Sequence, residues 1–228
     1  MERCHCNVLF ARVETSFAAI WEKLQEAGFL LESDPRLPSV CTLVTGEPLR
    51  SSWWSHPLAH AIFALNSQLQ DHPDIIITKL ISGKVTFVHR NLWSEIYAIG
   101  SARETWQMKG LLEPALTLLG LVDELGSLRT DEVQLSKVGR GKIGDAAREL
   151  ERRLLIASAQ VHTSSGAHAK FLETWATWAR GLNFKPAHVA PTLAKETIEI
   201  RLNKLNEQHD AVGKLPWMKE RTKVERFK

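Results

Sequence analysis

The segment from Ser51 to Trp93 constrains the fold most, because its residue pattern changes period twice. An aromatic lead-in, Ser51-Ser52-Trp53-Trp54-Ser55-His56-Pro57, precedes a stretch with Ile62, Leu65 and Leu69 at helical spacing on one face. The pattern then becomes extended. Residues Asp74 to Ile81, a Ser82-Gly83 turn, and residues Lys84 to His89 place β-branched side chains on both sides of a two-residue turn with a Gly, which predicts a hairpin rather than a continued helix. A second helix, Leu92 to Ile99, follows and is closed by Gly100.

The rest of the chain yields to the same signals. Val8, Phe10 and Val13 alternate, and Phe17, Ile20, Trp21 and Leu24 then take helical spacing up to Gly28. Pro35, Pro38, Gly46 and Pro48 surround the apolar run Val40 to Val44, which reads as a loop holding one strand. Further on, a helix is expected from Pro114 to Leu125, a short strand or helix from Leu128 to Leu135, and a loop over Gly139-Arg140-Gly141-Lys142-Ile143-Gly144. Asp145 is placed to cap a helix with Ala147, Leu150 and Leu154 on one face and Arg148 and Arg152 turned away. Extended segments Ile156 to His162 and His168 to Leu172 come next, then a helix bearing Trp175 and Trp178 that ends at Gly181. The tail holds a helix from Glu196 to Gln208 and a basic end.

Helix, hairpin, Trp-bearing helix: the order from Leu58 to Gly100 recurs from Asp145 to Gly181 without close identity, a shared plan rather than a sequence repeat. The expected fold class is α+β, helix-rich, with tandem winged helix-turn-helix modules and flanking helices. Residues 1–50 are then an N-terminal helix and loop packed on the first module, 51–110 the first winged helix, 111–182 the second, and 183–228 a C-terminal helix with a basic tail. Trp53, Trp54 and Trp93 are expected in the core, as large residues that knit small modules together.

Apolar residues make up 44% and charged residues 24%, which argues against a disordered chain, and no segment is long and apolar enough to cross a bilayer. Three cysteines give no disulfide framework, and the opening Met1-Glu2-Arg3-Cys4-His5-Cys6 has no apolar signal core, so an intracellular, reducing address is expected. A net charge of +3 is too small for general attraction to polyanions; any such binding has to come from local patches.

Such patches are present. In a winged helix the helix before the hairpin enters the major groove and the wing reaches the flanking backbone. Arg148, Arg152 and Arg153 on the second such helix, with Arg140 and Lys142 before it, are the candidates for double-stranded DNA contact, joined by Lys79, Lys84 and Arg90 around the first wing and by His162 and Ser164 at the second. The competing reading is a solvated face in which Glu149 and Glu151 pair with the arginines. The first helix presents His60, Asn66, Gln68 and Gln70, which can hydrogen-bond bases but supply no charge.

The run from Trp53-Trp54 through the helix to the hairpin resembles the winged-helix segment of bacterial DNA glycosylases that unhook interstrand crosslinks. That resemblance covers about a fifth of the chain and implies a Gln-apolar-Gln motif that positions the attacking water. Gln68-Leu69-Gln70 is the one literal match, making Gln68 and Gln70 the catalytic candidates, although the family carries the motif nearer its N-terminus. Other patterns are less specific. His56 and His60, with His72 or His89, have metal-ligand spacing but read better as ordinary histidines, and Gly139, Gly141 and Gly144 form a G-x-G-x-x-G without the strand of a dinucleotide fold. No metal and no cofactor is expected. Three function classes stay open: a duplex-DNA-binding protein of regulation or repair, a DNA glycosylase, and a protein-interaction adaptor.

Overall fold

The computed structural model describes residues 16–49, 51–133, 140–162 and 168–218. Within them the protein is a mixed α/β structure, helix-rich, with two antiparallel three-stranded sheets. The first unit runs α1 (Phe17–Ala27), β1 (Phe29–Leu31), α2 (Val40–Thr45), α3 (Ala59–Gln70), β2 (Ile75–Thr78) and β3 (Thr86–His89). Helix α4 (Trp93–Ser101) and the short α5 (Thr105–Met108) connect it to the second unit. That unit contains α6 (Glu113–Leu125), β4 (Ser127–Arg129), α7 (Arg140–Arg152), β5 (Ala157–His162) and β6 (His168–Glu173), followed by α8 (Trp175–Gly181) and α9 (Pro191–Gln208).

Both sheets place the last strand in the middle, in the orders β1-β3-β2 and β4-β6-β5. In the first, Phe29 to Leu31 pairs with Val88 to Thr86, and Ile75 to Thr78 pairs with His89 to Thr86. The segment before residue 50 therefore supplies an edge strand and is built into the first unit rather than laid against it. Ser16 caps α1 by accepting a hydrogen bond from the Ala19 N–H, and Gly28 closes the helix at φ 84°, a backbone angle that favours Gly.

Residues 40–44, expected to form a strand, are helical. Ser39 and Thr42 exchange side-chain-to-backbone hydrogen bonds in a capping box, and this local pairing outweighs the β-propensity of two valines. The first hairpin also differs from expectation. Ser82 and Gly83 do form a tight turn with both φ positive, closed by the Lys84 N–H donating to the Ile81 carbonyl at 2.9 Å. Strand pairing nevertheless stops at Thr78 and Thr86, because Leu80 and Ile81 leave the ladder and are buried in the core.

Three apolar clusters hold the described residues together. Ile20, Leu24, Leu30, Cys41, Trp53, Ile62, Leu69 and Phe87 fill the first unit, while Leu118, Val122, Ile143, Ala147, Leu150 and Leu172 fill the second. The largest cluster lies between them and gathers Phe29, Leu80, Ile81, Trp93, Leu154, Trp175, Ile198 and Trp217 from both units and from the C-terminal segment. Both faces of the first sheet are thus covered, which accounts for the unbroken apolar runs in its strands.

Trp53 and Trp93 are buried as expected, but Trp54 is 65% exposed. Residues 53–55 form a 3-10 turn, in which successive side chains diverge, so Trp53 points inward while Trp54 stacks on it at 4.0 Å. Helix α7 begins at Arg140, so Gly141 and Gly144 lie inside a helix rather than in a phosphate-cradling loop, and Asp145 pairs with Arg148 instead of capping. Leu154 does not continue that helix. It sits at φ 54° and drops into the central cluster, where its carbonyl accepts the Trp175 indole N–H at 2.7 Å.

Candidate functional site

Helix α7 buries Ile143, Ala146, Ala147 and Leu150 and turns Asp145, Arg148 and Arg152 to solvent. The interleaved acids are committed elsewhere. Glu149 binds Arg153 at 2.9 Å, and Glu151 is buried, accepting from Ser158 Oγ at 2.6 Å and from the Lys170 ammonium. On the outer face Arg148 pairs with Asp145, whereas among the described residues the Arg152 guanidinium makes neither a hydrogen bond nor an ion pair, so Arg152 adds an uncompensated positive charge to this face.

Packing brings further cations beside it. The tip of the first hairpin meets the C-terminal segment, with the Ser82 N–H donating to the Lys214 carbonyl at 2.7 Å and the Lys214 N–H donating to Ser82 Oγ at 3.2 Å. A recess of about 200 Å³ results, lined by Lys79, Ser82, Gly83, Arg152, Lys214, Leu215 and Pro216. Gly83 borders Arg152 closely enough that a Cβ there would lie in ordinary contact with its Nε at 3.8 Å. Burial and then the neighbouring charges of Lys170, Arg152 and Arg148 push the Lys79 ammonium below its ordinary pKa, against the opposing pull of Glu151. Like charges held this close raise the local potential, and an anion entering the recess relieves that repulsion.

The sequence candidates divide accordingly. Lys79, Arg148 and Arg152 come together, with Lys170 and Lys214 as members that the sequence did not single out. Lys170 is a lone cation between Ala169 and Phe171 on a strand, and Lys214 reaches the site only because the tail folds back, so neither carries a local signal. Lys84 is spent on Asp34 at 2.6 Å; although burial opposes its charge, hydrogen bonds from Lys84 and from the Arg36 and Leu37 backbone hold the Asp34 carboxyl below its usual range. Arg90 binds Asp74 at 2.8 Å and lies over the Trp93 ring at 5.5 Å. Arg153 is a structural clamp whose guanidinium donates to the Gln107 and Lys109 carbonyls at 3.0 and 2.7 Å.

Arg140 and Lys142 lie in the first turns of α7, and His162 ends β5 opposite His168; the side chains of these residues, and Ser164 entirely, fall outside the described residues. Gln68 and Gln70 are exposed at the end of α3, but two positions apart on a helix they project roughly 200° from one another and do not converge on one water. Asn66, expected on the exposed side, is buried, because it lies one position from Leu65 on the face that docks against the sheet. His56, His72 and His89 each accept a backbone N–H within two residues of themselves. Among the described residues no three His, Cys, Asp or Glu side chains gather as a metal donor set, and no helix is long and apolar enough to cross a membrane.

Comparisons with protein-family models, with curated proteins and with solved structures found no match to this chain.

Proposed function

We propose that this protein binds double-stranded DNA through two winged-helix units, in regulation or repair, with α7 as the principal groove-facing helix. The observation that carries the reading is the recess at the junction, where Lys79, Arg152 and Lys214 converge from three separate parts of the chain beside Arg148 and Lys170. In a chain with a net charge of only +3, this local convergence of three cations is what an anionic partner would use. The winged-helix reading draws on the element order: the first unit runs helix, strand, two helices, hairpin and the second helix, strand, helix, hairpin, each with the last strand central in its sheet. The outer face of α7 supplies the basic side chains that a groove-facing helix requires.

The first hairpin acts differently from a free wing. Its tip is tied to the C-terminal segment, so it contributes Lys79 to a shared phosphate site instead of reaching out alone. Fluorescence anisotropy of a labelled duplex across a salt series tests the proposal. Three phosphate contacts give a slope of log K against log salt of about −3, and Arg152→Ala lowers its magnitude by about 1 if that side chain holds a phosphate. A loss of roughly 1 to 3 kcal/mol confined to one preferred sequence instead assigns Arg152 to a guanine edge. No binding at low salt, or binding indifferent to Arg152→Ala and Lys79→Ala, overturns the proposal.

A further inference from the structure

A second exposed feature lies at the start of α3. Trp54, 65% exposed, stacks on the buried Trp53 with ring centroids 4.0 Å apart and planes 23° from parallel, and Phe63 on α3 is 52% exposed with its ring 5.9 Å from that of Trp54. Together with Ala59 and His60 they line an open recess of about 320 Å³ that contains no acidic side chain. The first sheet links this ledge to the cations. The Glu32 N–H donates to the Val85 carbonyl at 3.0 Å, one position beyond the last β1–β3 pair. The Trp53 indole N–H and the Lys79 charge both act on the Glu32 carboxyl, so the stacked tryptophans and the cationic recess lie within reach of one side chain.

We infer that Trp54, bordered by Phe63, is a stacking ledge for an unpaired nucleobase of the DNA whose phosphates the adjoining cations hold. The inference rests on the DNA-binding reading above and adds a substrate class: duplexes that carry an extruded or unpaired base. A flat indole already stacked on a second, immobile indole offers a third planar ring a surface with little conformational entropy left to lose. Stacking on aromatic side chains is indifferent to base identity, which suits recognition of distortion rather than of sequence. The geometry of two near-parallel rings extends naturally to a third ring, and the neighbouring cations hold the backbone that carries it.

The test compares a perfectly paired duplex with the same duplex bearing one bulged 2-aminopurine, using anisotropy for affinity and 2-aminopurine emission for stacking. Wild type is expected to prefer the bulged duplex and to quench the probe. Trp54→Ala is expected to weaken the bulged duplex roughly tenfold while leaving the paired duplex unchanged, with quenching abolished. Trp54→Phe should retain most of the preference, and thermal melts of both variants, altered only at an exposed side chain, control for folding. Equal binding of the two duplexes by wild type, or a Trp54→Ala variant that still quenches the probe, overturns the ledge while leaving duplex binding intact. Absence of binding to both duplexes at low salt instead removes the reading beneath it. Concentration-dependent self-association that Trp54→Ala abolishes, with DNA affinities unaltered, overturns the inference by making the ledge a protein contact.

Discussion

Replacing Gly100 by Ala separates two opposing effects whose signs differ. Gly100 lies in the last turn of α4, where Ala is intrinsically favoured by at most about 1 kcal/mol. A Cβ at this position, however, would fall 2.1 Å from Trp175 Nε1 and 2.5 Å from its Cε2, well inside any real contact. Trp175 has nowhere to go: it is 3% exposed, packs edge-on against Trp178 at 5.5 Å, and donates its indole N–H to the Leu154 carbonyl at 2.7 Å. Overpacking of this kind costs about 1 to 3 kcal/mol, and breaking the buried hydrogen bond adds about 1 to 3 kcal/mol. The net loss is about 1 to 5 kcal/mol after the helix-propensity gain is subtracted. In urea denaturation the midpoint falls at unchanged slope, and Tm drops by roughly 2 to 4 °C for each kcal/mol lost. Because Leu154 follows α7 by two residues, the same substitution is expected to shift the helix that carries Arg152 and, under the proposed function, to weaken duplex binding. A variant as stable as wild type, or more so, refutes the packing argument and leaves propensity in control.

Arg153→Ala is expected to cost about 1 to 3 kcal/mol of stability by stranding the Gln107 and Lys109 carbonyls and Glu149, whereas its neighbour Arg152→Ala changes stability by no more than about 0.5 kcal/mol; paired denaturation curves distinguish clamp from surface. Glu32→Gln is expected to stabilise the fold at neutral pH. Burial outweighs the Trp53 hydrogen bond and the Lys79 charge and holds the Glu32 carboxyl above its ordinary value of 4.5, so the ionised form weakens the fold. The gain is full above the raised pKa and vanishes below the ordinary one, and a stability difference that instead grew as the pH fell would reverse the assignment. Trp93→Ala removes a side chain 2% exposed that Trp178 and Phe184 meet edge-on, and should lower stability by about 3 to 5 kcal/mol in the same denaturation assay.

What the residues alone determined is local. The apolar stripe of Ile62, Leu65 and Leu69 fixed the buried face of α3, the extended run Ile75-Ile76-Ile77 fixed a strand, Ser82-Gly83 fixed a turn, and Arg148 with Arg152 fixed a cationic helix face, since each depends on periodicity or on backbone freedom within a few positions. The recurring order of helix, hairpin and Trp-bearing helix was legible for the same reason. Tertiary structure decided what those elements meet. Leu80 and Ile81 abandoned the ladder because burial in the central cluster outweighs two further strand pairs, and Val40 to Val44 became helical through a cap that the valines themselves do not announce. Of the cations spread along the chain, Lys84, Arg90 and Arg153 were taken up by Asp34, Asp74 and backbone carbonyls. Lys79, Arg152 and Lys214 stayed together, none of them in an ion pair among the described residues, although Glu151 and Glu32 lie within electrostatic reach of Lys79. Nothing in the spacing of those three residues brings them into one recess; that depends on the C-terminal segment folding back over the hairpin tip, a contact between positions far apart in sequence and therefore invisible to any periodicity.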